Sequence, residues 1–260
     1  MNVIAQPPPG APRSSLSDAA RERLLSVRGE PLFLADWLRP VFIHFEAPSA
    51  ELQPHVPFEL DLREGRAYVS LVAFTMRGLH LCRGGRLGAW LFAPIATHEL
   101  LNVRTYVRHQ GEAGIYFIAE WVPNRLSAWL GPRTFGLPYI HGQLQYSHAG
   151  AQPFCGLVKC PGAALRYTAT PESNSSLTPC APGSIAEFLL ERYTAFTTCG
   201  CLRAWFRVWH PPWLQMGVSV QIQDSCLLRE RFPWFAHARL VGANYSPGTE
   251  DVWMGRPHRL

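Results

Sequence analysis

The sequence predicts a β-rich α+β fold, a single antiparallel β-barrel with two or three helices on its outside. Three observations predict it. Strand-like segments greatly outnumber helical ones, no βαβ alternation or internal repeat appears, and no Gly/Ser linker of useful length divides the 260 residues. Barrels often reach roughly 250 residues as one unit, and full closure would protect so many strand edges. Residues 15–260 are therefore expected to form one domain. Residues 1–14, with three consecutive prolines (Pro7, Pro8 and Pro9), are expected to form a disordered tail.

Composition narrows the function. Hydrophobic residues make up 47% and charged residues 17%. That charged fraction is below the usual quarter or so, which points to much buried surface, an internal cavity or an apolar partner face, and excludes a disordered chain. The 24 Lys and Arg against 19 Asp and Glu leave +5, but the arginines are spread from Arg13 to Arg259. Nucleic-acid binders cluster their basic residues, so no nucleic-acid partner is expected. No apolar run reaches the 18 or so residues of a membrane span, and the first residues lack the charged and apolar regions of a signal peptide. A cytoplasmic protein without a membrane partner is the expectation; a homo-oligomer is compatible with it. The seven cysteines are odd in number and contain no CxxC pair, which reads as free thiols, with Cys199-Gly200-Cys201 as the one alternative, a soft-metal chelate. Neither metal nor cofactor is expected. Lys159 is the only lysine, so chemistry needing a neutral side-chain amine has one candidate.

Along the chain, Ser15-Leu16-Ser17-Asp18 has the form of a capping box and predicts a helix to about Val27, stopped by Gly29. From Leu38 the texture is β, although both faces of Val41–Glu46 are apolar. Ser49–Leu52 reads as one helical turn, Phe58–Leu62 as a half-exposed strand and Ala67–Met76 as a long strand. Arg77–Pro94 holds four glycines and reads as a loop or lid. His98–Arg108 and Gly114–Val122 pair as antiparallel strands, and Asn124–Leu130 is a short helix broken by Gly131-Pro132. Pro138–His148, Ala151–Val158 and Ala163–Thr170 follow as strands. The Ser184 capping box starts a helix expected to run to Thr197, and Leu202–Trp209, Val218–Ile222 and Trp234–Asn244 are later strands. The segment from Tyr245 is glycine- and proline-rich and is expected to close the domain.

The strand from His98 to Arg108 carries the most chemistry. At a period of two, His98, Leu100, Asn102, Arg104, Tyr106 and Arg108 share one face, and Glu99, Leu101, Val103, Thr105 and Val107 the other. If the first face looks inward, Asn102 and Arg104 can grip a carboxylate or enolate through several N–H donors. If the second does, Glu99 stands among aliphatic walls, where desolvation raises its pKa and suits it to proton transfer. The alternative to both is a solvated outer face. A second constellation, Gly131-Pro132-Arg133…Gly136-Leu137-Pro138-Tyr139, fixes a tight backbone path that presents Arg133 and Tyr139, either as binding groups or as a plain structural turn. The histidines form no metal spacing, and His210, among large aromatics, reads as packed. No GxSxG, Walker loop or dinucleotide fingerprint appears.

The segments FLADWLRPVFIHFE, HVPFELDLREGRAYVSLVAFTM, HELLNVRTYV, FGLPY, FLLERYTAF, VWHPPW and VGANYSPGTEDVWMGRPHRL resemble the YqjF-like uncharacterised family, from Phe33 nearly to the end. That family is related in fold to acetoacetate decarboxylase, so the resemblance implies a conical barrel of the acetoacetate-decarboxylase-like type with its site inside. In the decarboxylase a strand glutamate is followed some forty residues later by Gly-x-Pro-Lys-Lys, which supplies the Schiff-base lysine. Glu99 stands where that glutamate would, and Gly136-Leu137-Pro138 matches Gly-x-Pro, but Tyr139 and Ile140 replace the lysines. The resemblance thus implies a cavity carboxylate at Glu99 without imine chemistry. Three functions remain: a binder of a small apolar or carboxylated molecule held by Asn102, Arg104 and Arg133; an enzyme using Glu99 for proton transfer, with Tyr139 as hydrogen-bond donor; or an interaction protein with a filled core.

Overall fold

The computed structural model describes residues 14–150, 152–173, 175–200 and 202–260. The expected tail falls outside these residues except for Ser14, and Cys201 of the possible chelate falls outside them too. Ser14, one residue earlier than the sequence suggests, caps α1 (Ser15–Leu25) by accepting from the Ser17 N–H. α1 packs Ala20 and Leu24 against Trp209 and Trp253 on the outer wall of the barrel.

Seven strands close on one another: β1 (Phe33–Ala47), β3 (Ala67–Leu81), β4 (His98–His109), β5 (Glu112–Val122), β11 (Thr194–Cys199), β12 (Leu202–Trp209) and β15 (Gly248–Met254). Between β1 and β3 lie α2 (Ser49–Leu52) and the short β2 (Glu59–Leu60), which pairs with β4. The glycine-rich segment expected as a loop instead prolongs β3 to Leu81 and then forms α3 (Gly85–Phe92). α4 (Arg125–Thr134) runs through Gly131 and Pro132 rather than stopping before them. The helix expected over residues 184–197 ends early: α5 covers Ile185–Leu190, and β-branched Thr194, Thr197 and Thr198 enter β11. The glycine- and proline-rich C-terminal segment supplies β15, which pairs with both β1 and β12 and completes the ring.

A second sheet is built from β7 (Gln143–Ser147), β8 (Phe154–Cys160), β9 (Ala163–Pro171), β13 (Leu214–Asp224) and β14 (Arg239–Tyr245). Smaller elements extend the two sheets: β6 (Tyr139–His141) pairs with β5, β16 (His258–Arg259) with β12 and β10 (Thr178–Pro179) with β13, and α6 (Cys226–Arg229) follows β13. β1 is the seam. Its first half pairs with β15 in the barrel and its second half with β14 of the second sheet. The changeover is at Arg39, whose φ is 50°. Barrel strands that face an interior on one side and the second sheet on the other are apolar on both faces, which is why Val41–Phe45 shows no clean alternation. Inside sit Phe42, Val72, Phe74, Leu100, Phe117 and Val208; outside, Ile43, Leu71, Val103 and Trp121 meet Phe154, Leu165 and Tyr167 of the second sheet. The barrel is not antiparallel throughout. β11 returns parallel to β5, pairing Ala195 with Ile115, because the long excursion through the second sheet and α5 brings the chain back in the same direction.

Where β15 meets the seam, Gly248 has φ 103°, and a Cβ there would sit 2.8 Å from Leu38 Cα and 2.9 Å from Arg39 N. Gly248→Ala is expected to destabilise the fold by about 2–4 kcal/mol, the sum of left-handed strain and overpacking. Urea unfolding measures it; an unchanged midpoint would show that the β1–β15 closure tolerates a side chain.

Candidate functional site

The inner face of β4 carries His98, Leu100, Asn102, Arg104 and Tyr106. Their cross-strand partners on β3 are Met76, Phe74, Val72 and Ser70, which opposes Arg104. On β5, Glu120 lies opposite Asn102 and also faces inward, whereas Phe117 opposes Arg104 across a register shift. The first of the two faces in the sequence is thus the interior one. Glu99, on the other face, opposes Thr75 and is only half-buried, with its charge acting on Tyr146 of β7 in the second sheet. Glu99 and Arg104 therefore do not share a cavity. The reason is the strand period: adjacent residues cannot face the same way without a bulge between them, and the shift at β4–β5 comes later, between Val103 and Arg104.

Asn102 and Arg104 are each 6% exposed and line the same small interior cavity of about 30 Å³, walled by Phe42, Phe74, Ile115 and Phe117. That volume holds about two waters. Arg104 donates from Nη2 to the Leu189 carbonyl at 2.9 Å and lies with its Cζ 5.7 Å from the Phe42 ring centroid. Its Nε finds no hydrogen-bond partner among the described residues, and neither do Asn102 Oδ1, Glu120 Oε2 and Thr197 Oγ1. Native interiors pair nearly all buried polar atoms, so four such atoms projecting from the strands of one barrel wall make this interior unusually polar.

Glu120 is the carboxyl that the sequence reading missed. It is 3% exposed, and desolvation raises its pKa to about 8, so it is mostly protonated at neutral pH. Its signal was a lone acid in the apolar run Tyr116-Phe117-Ile118-Ala119-Glu120-Trp121-Val122. Tyr139 on β6 pairs in register with Glu120; burial, then the Glu120 charge, push its hydroxyl up. Arg133 is elsewhere: it is exposed on α4, donates to its own helix at the Trp129 carbonyl (2.7 Å) and stacks on the Trp129 ring. His98 is buried beside the Ile95 carbonyl, and desolvation takes its pKa down to about 4.

A hydrogen-bonded chain braces the floor. His44 Nδ1 meets Ser70 Oγ at 2.7 Å, His44 Nε2 meets Asn244 Oδ1 at 3.1 Å, Ser70 Oγ meets Tyr106 Oη at 2.5 Å, and Tyr106 donates to the Leu189 carbonyl at 2.8 Å. Burial, then the Arg104 charge, push His44 down to about 3 and His210 to about 4. Both imidazoles are neutral, and the interior charge is that of its arginines. His210 packs between Tyr193 and Trp213.

Arg192 and Thr194 line this cavity and also a cleft of about 330 Å³ outside it, between α5, α1 and the β4–β5 turn. Arg192 Nη1 donates to Asp61 at 2.8 Å, and its guanidinium lies 4.1 Å from the Phe188 ring centroid. It stands as a partition between the two spaces. Lys159, the sole lysine, is exposed on β8, in the second sheet. Among the described residues no group of three metal-ligating side chains gathers.

Comparison with known proteins follows the same outline. The uncharacterized protein YqjF of Bacillus subtilis (strain 168) is 30% identical over 190 residues, which is 72% of this chain and 76% of that protein. An acetoacetate decarboxylase-like enzyme from Sphingomonas wittichii RW1 superposes with a TM-score of 0.60 at 16% identity, over 89% of this chain and 94% of that one. The enduracididine biosynthesis enzyme MppR, solved in complex with pyruvate, gives 0.62 at 13% identity, over 90% and 92%. The fold is therefore acetoacetate decarboxylase-like. The sequence model of the DUF2071 family, described as an uncharacterized conserved protein, matches residues 34–250, and the chain belongs to that family.

Proposed function

We propose that the barrel binds a small carboxylated organic molecule, with the carboxylate on Arg104 beside Asn102 and the carbon atoms against Phe42, Phe74 and Phe117. One observation carries the reading: a buried guanidinium whose protein partner is a single carbonyl and which no carboxylate of the described residues approaches. A charge so placed is costly unless an anion joins it. The cavity takes a carboxylate head as it stands. Displacing Arg192 from Asp61 would join it to the outer cleft and make room for the rest of a short acid. MppR in complex with pyruvate is a protein of this fold holding such an acid. Imine chemistry has no support, since Lys159 lies outside the barrel.

Titration calorimetry with pyruvate, acetate, propionate and acetoacetate at neutral pH tests the reading. Saturable binding of at least one acid, kept in Glu99→Gln and lost in Arg104→Met, is expected. Binding that survives Arg104→Met, or none by any acid, would overturn it.

Glu120 favours a second reading, an enzyme that moves a proton on a carbonyl substrate. A buried acid with a pKa near neutrality suits general acid–base work, and Tyr139 stands next to it as the donor. This reading keeps the proton-transfer role drawn from the sequence but moves it from Glu99 to Glu120. Proton NMR of pyruvate in deuterated buffer checks it: exchange of the methyl protons should be accelerated by the protein and lost in Glu120→Gln. Equal exchange by both proteins would reject it.

A further inference from the structure

At the end of the barrel away from α5, two helices turn apolar side chains outward. On α3, Leu87 is 77% exposed, Trp90 72% and Leu91 65%; on α4, Leu126 is 44% and Trp129 54%. The helices are neighbours. The Phe33 ring lies 5.1 Å from Phe92 and 5.9 Å from Phe135, and Asn124 Nδ2, at the cap of α4, donates to the Pro94 carbonyl just beyond α3 at 2.6 Å. Soluble surfaces scatter exposed apolar residues singly; several large ones on adjoining short helices mark an interaction face.

The two segments that carry this face hold charge of one sign. Residues 78–98 contain Arg83 and Arg86 and no carboxylate, and residues 121–138 contain Arg125 and Arg133 and no carboxylate. Arg133 lies 4.7 Å from the Trp129 ring centroid, which couples the cationic rim to the apolar centre. Its surroundings therefore call for an anionic partner with a soft apolar interior.

We propose that this face docks peripherally on an anionic phospholipid bilayer, with Trp90 and Trp129 at headgroup depth and Arg83, Arg125 and Arg133 on lipid phosphates and carboxylates. Tryptophan suits that boundary through its amphipathic ring, and each arginine at an anionic surface strengthens binding about fivefold. A second copy of the chain fits less well, because a two-fold contact would set the arginines of these segments against one another with no carboxylate in either segment to relieve them. Protruding side chains also need no matching pocket in a fluid bilayer. No helix of the described residues is long and apolar enough to cross a membrane; this docking lies on the bilayer and does not span it. It is independent of the interior ligand.

Vesicle flotation of the full-length protein tests the proposal. Vesicles of phosphatidylcholine with about one-third phosphatidylserine should carry at least tenfold more protein than phosphatidylcholine alone, and about 0.5 M salt should remove most of the difference. The double variant Trp90→Ser/Leu91→Ser should lose flotation about tenfold while unfolding at the wild-type temperature, since both side chains are exposed. Equal flotation on the two vesicles, no flotation, or flotation unchanged in the variant would overturn the proposal. So would a dimer, seen by light scattering, that the same variant splits, because the face would then belong to a second copy.

Discussion

An Arg104→Met variant is expected to lose small-carboxylate binding by about 100-fold or more while folding at least as stably as the wild type. The two effects have one cause. Arg104 is buried, its Nε has no partner, and what it gives the fold is one hydrogen bond to the Leu189 carbonyl and a weak contact with the Phe42 ring. Losing it does not orphan that carbonyl, which still accepts from Tyr106. Methionine fills similar volume without a charge to desolvate, and replacing poorly compensated buried charge is typically neutral or stabilising by about 1–3 kcal/mol. Removing a charge-assisted bidentate partner from an anion site costs about 2–5 kcal/mol of binding. Urea unfolding and calorimetry on the same preparations measure both. A variant that unfolds much more easily would show that Arg104 is a structural strut, and the anion site would lose its main support.

Glu120→Gln is expected to change how stability depends on pH. In the unfolded chain this carboxyl ionises near 4.5; in the folded barrel it ionises near 8. Below the lower value both states carry the proton and the group has no effect. Between the two, the unfolded state sheds its proton and the folded state keeps it, so stability falls as pH rises, and above about 8 the loss levels off. Integrated over that window the penalty is about 4–5 kcal/mol at its upper limit. Glutamine has the same shape and no such window. The variant should match the wild type near pH 4 and be more stable by several kcal/mol at pH 8 and above. Unfolding curves at intervals from pH 4 to 9 decide it; wild type and variant running parallel would mean that Glu120 ionises freely in the barrel.

Much of this architecture was legible in the residues, and the parts that were not have physical reasons. The period of β4 alone sorts His98, Asn102, Arg104 and Tyr106 onto one face. Which face looked inward was undecidable, because Leu101, Val103 and Val107 are as well buried against the second sheet as the inner residues are in the barrel. The same two-sided burial hid Glu120: in a strand without alternation, one acid among aromatics carries no direction. The helix begun at Ser184 stops early for tertiary reasons. The Glu191 carboxylate accepts from the Trp213 N–H and the Tyr193 hydroxyl, and Arg192 is held by Asp61, so two consecutive residues are recruited elsewhere. Arg192 went unnoticed as a partition because Asp61 lies 131 positions away. The glycines of residues 78–88 suggested a loop, yet helical propensity prevailed in a segment whose apolar side chains were free to face outward.

Because β15 closes the ring against β1, the first and last strands of the barrel must meet across more than two hundred residues. A chain emerging from the ribosome therefore cannot shut its barrel until β15 has been made. Until then the free border of β1 is a template for any other extended chain. The emergence of β15, rather than the growth of any earlier strand, sets the moment at which that border is covered.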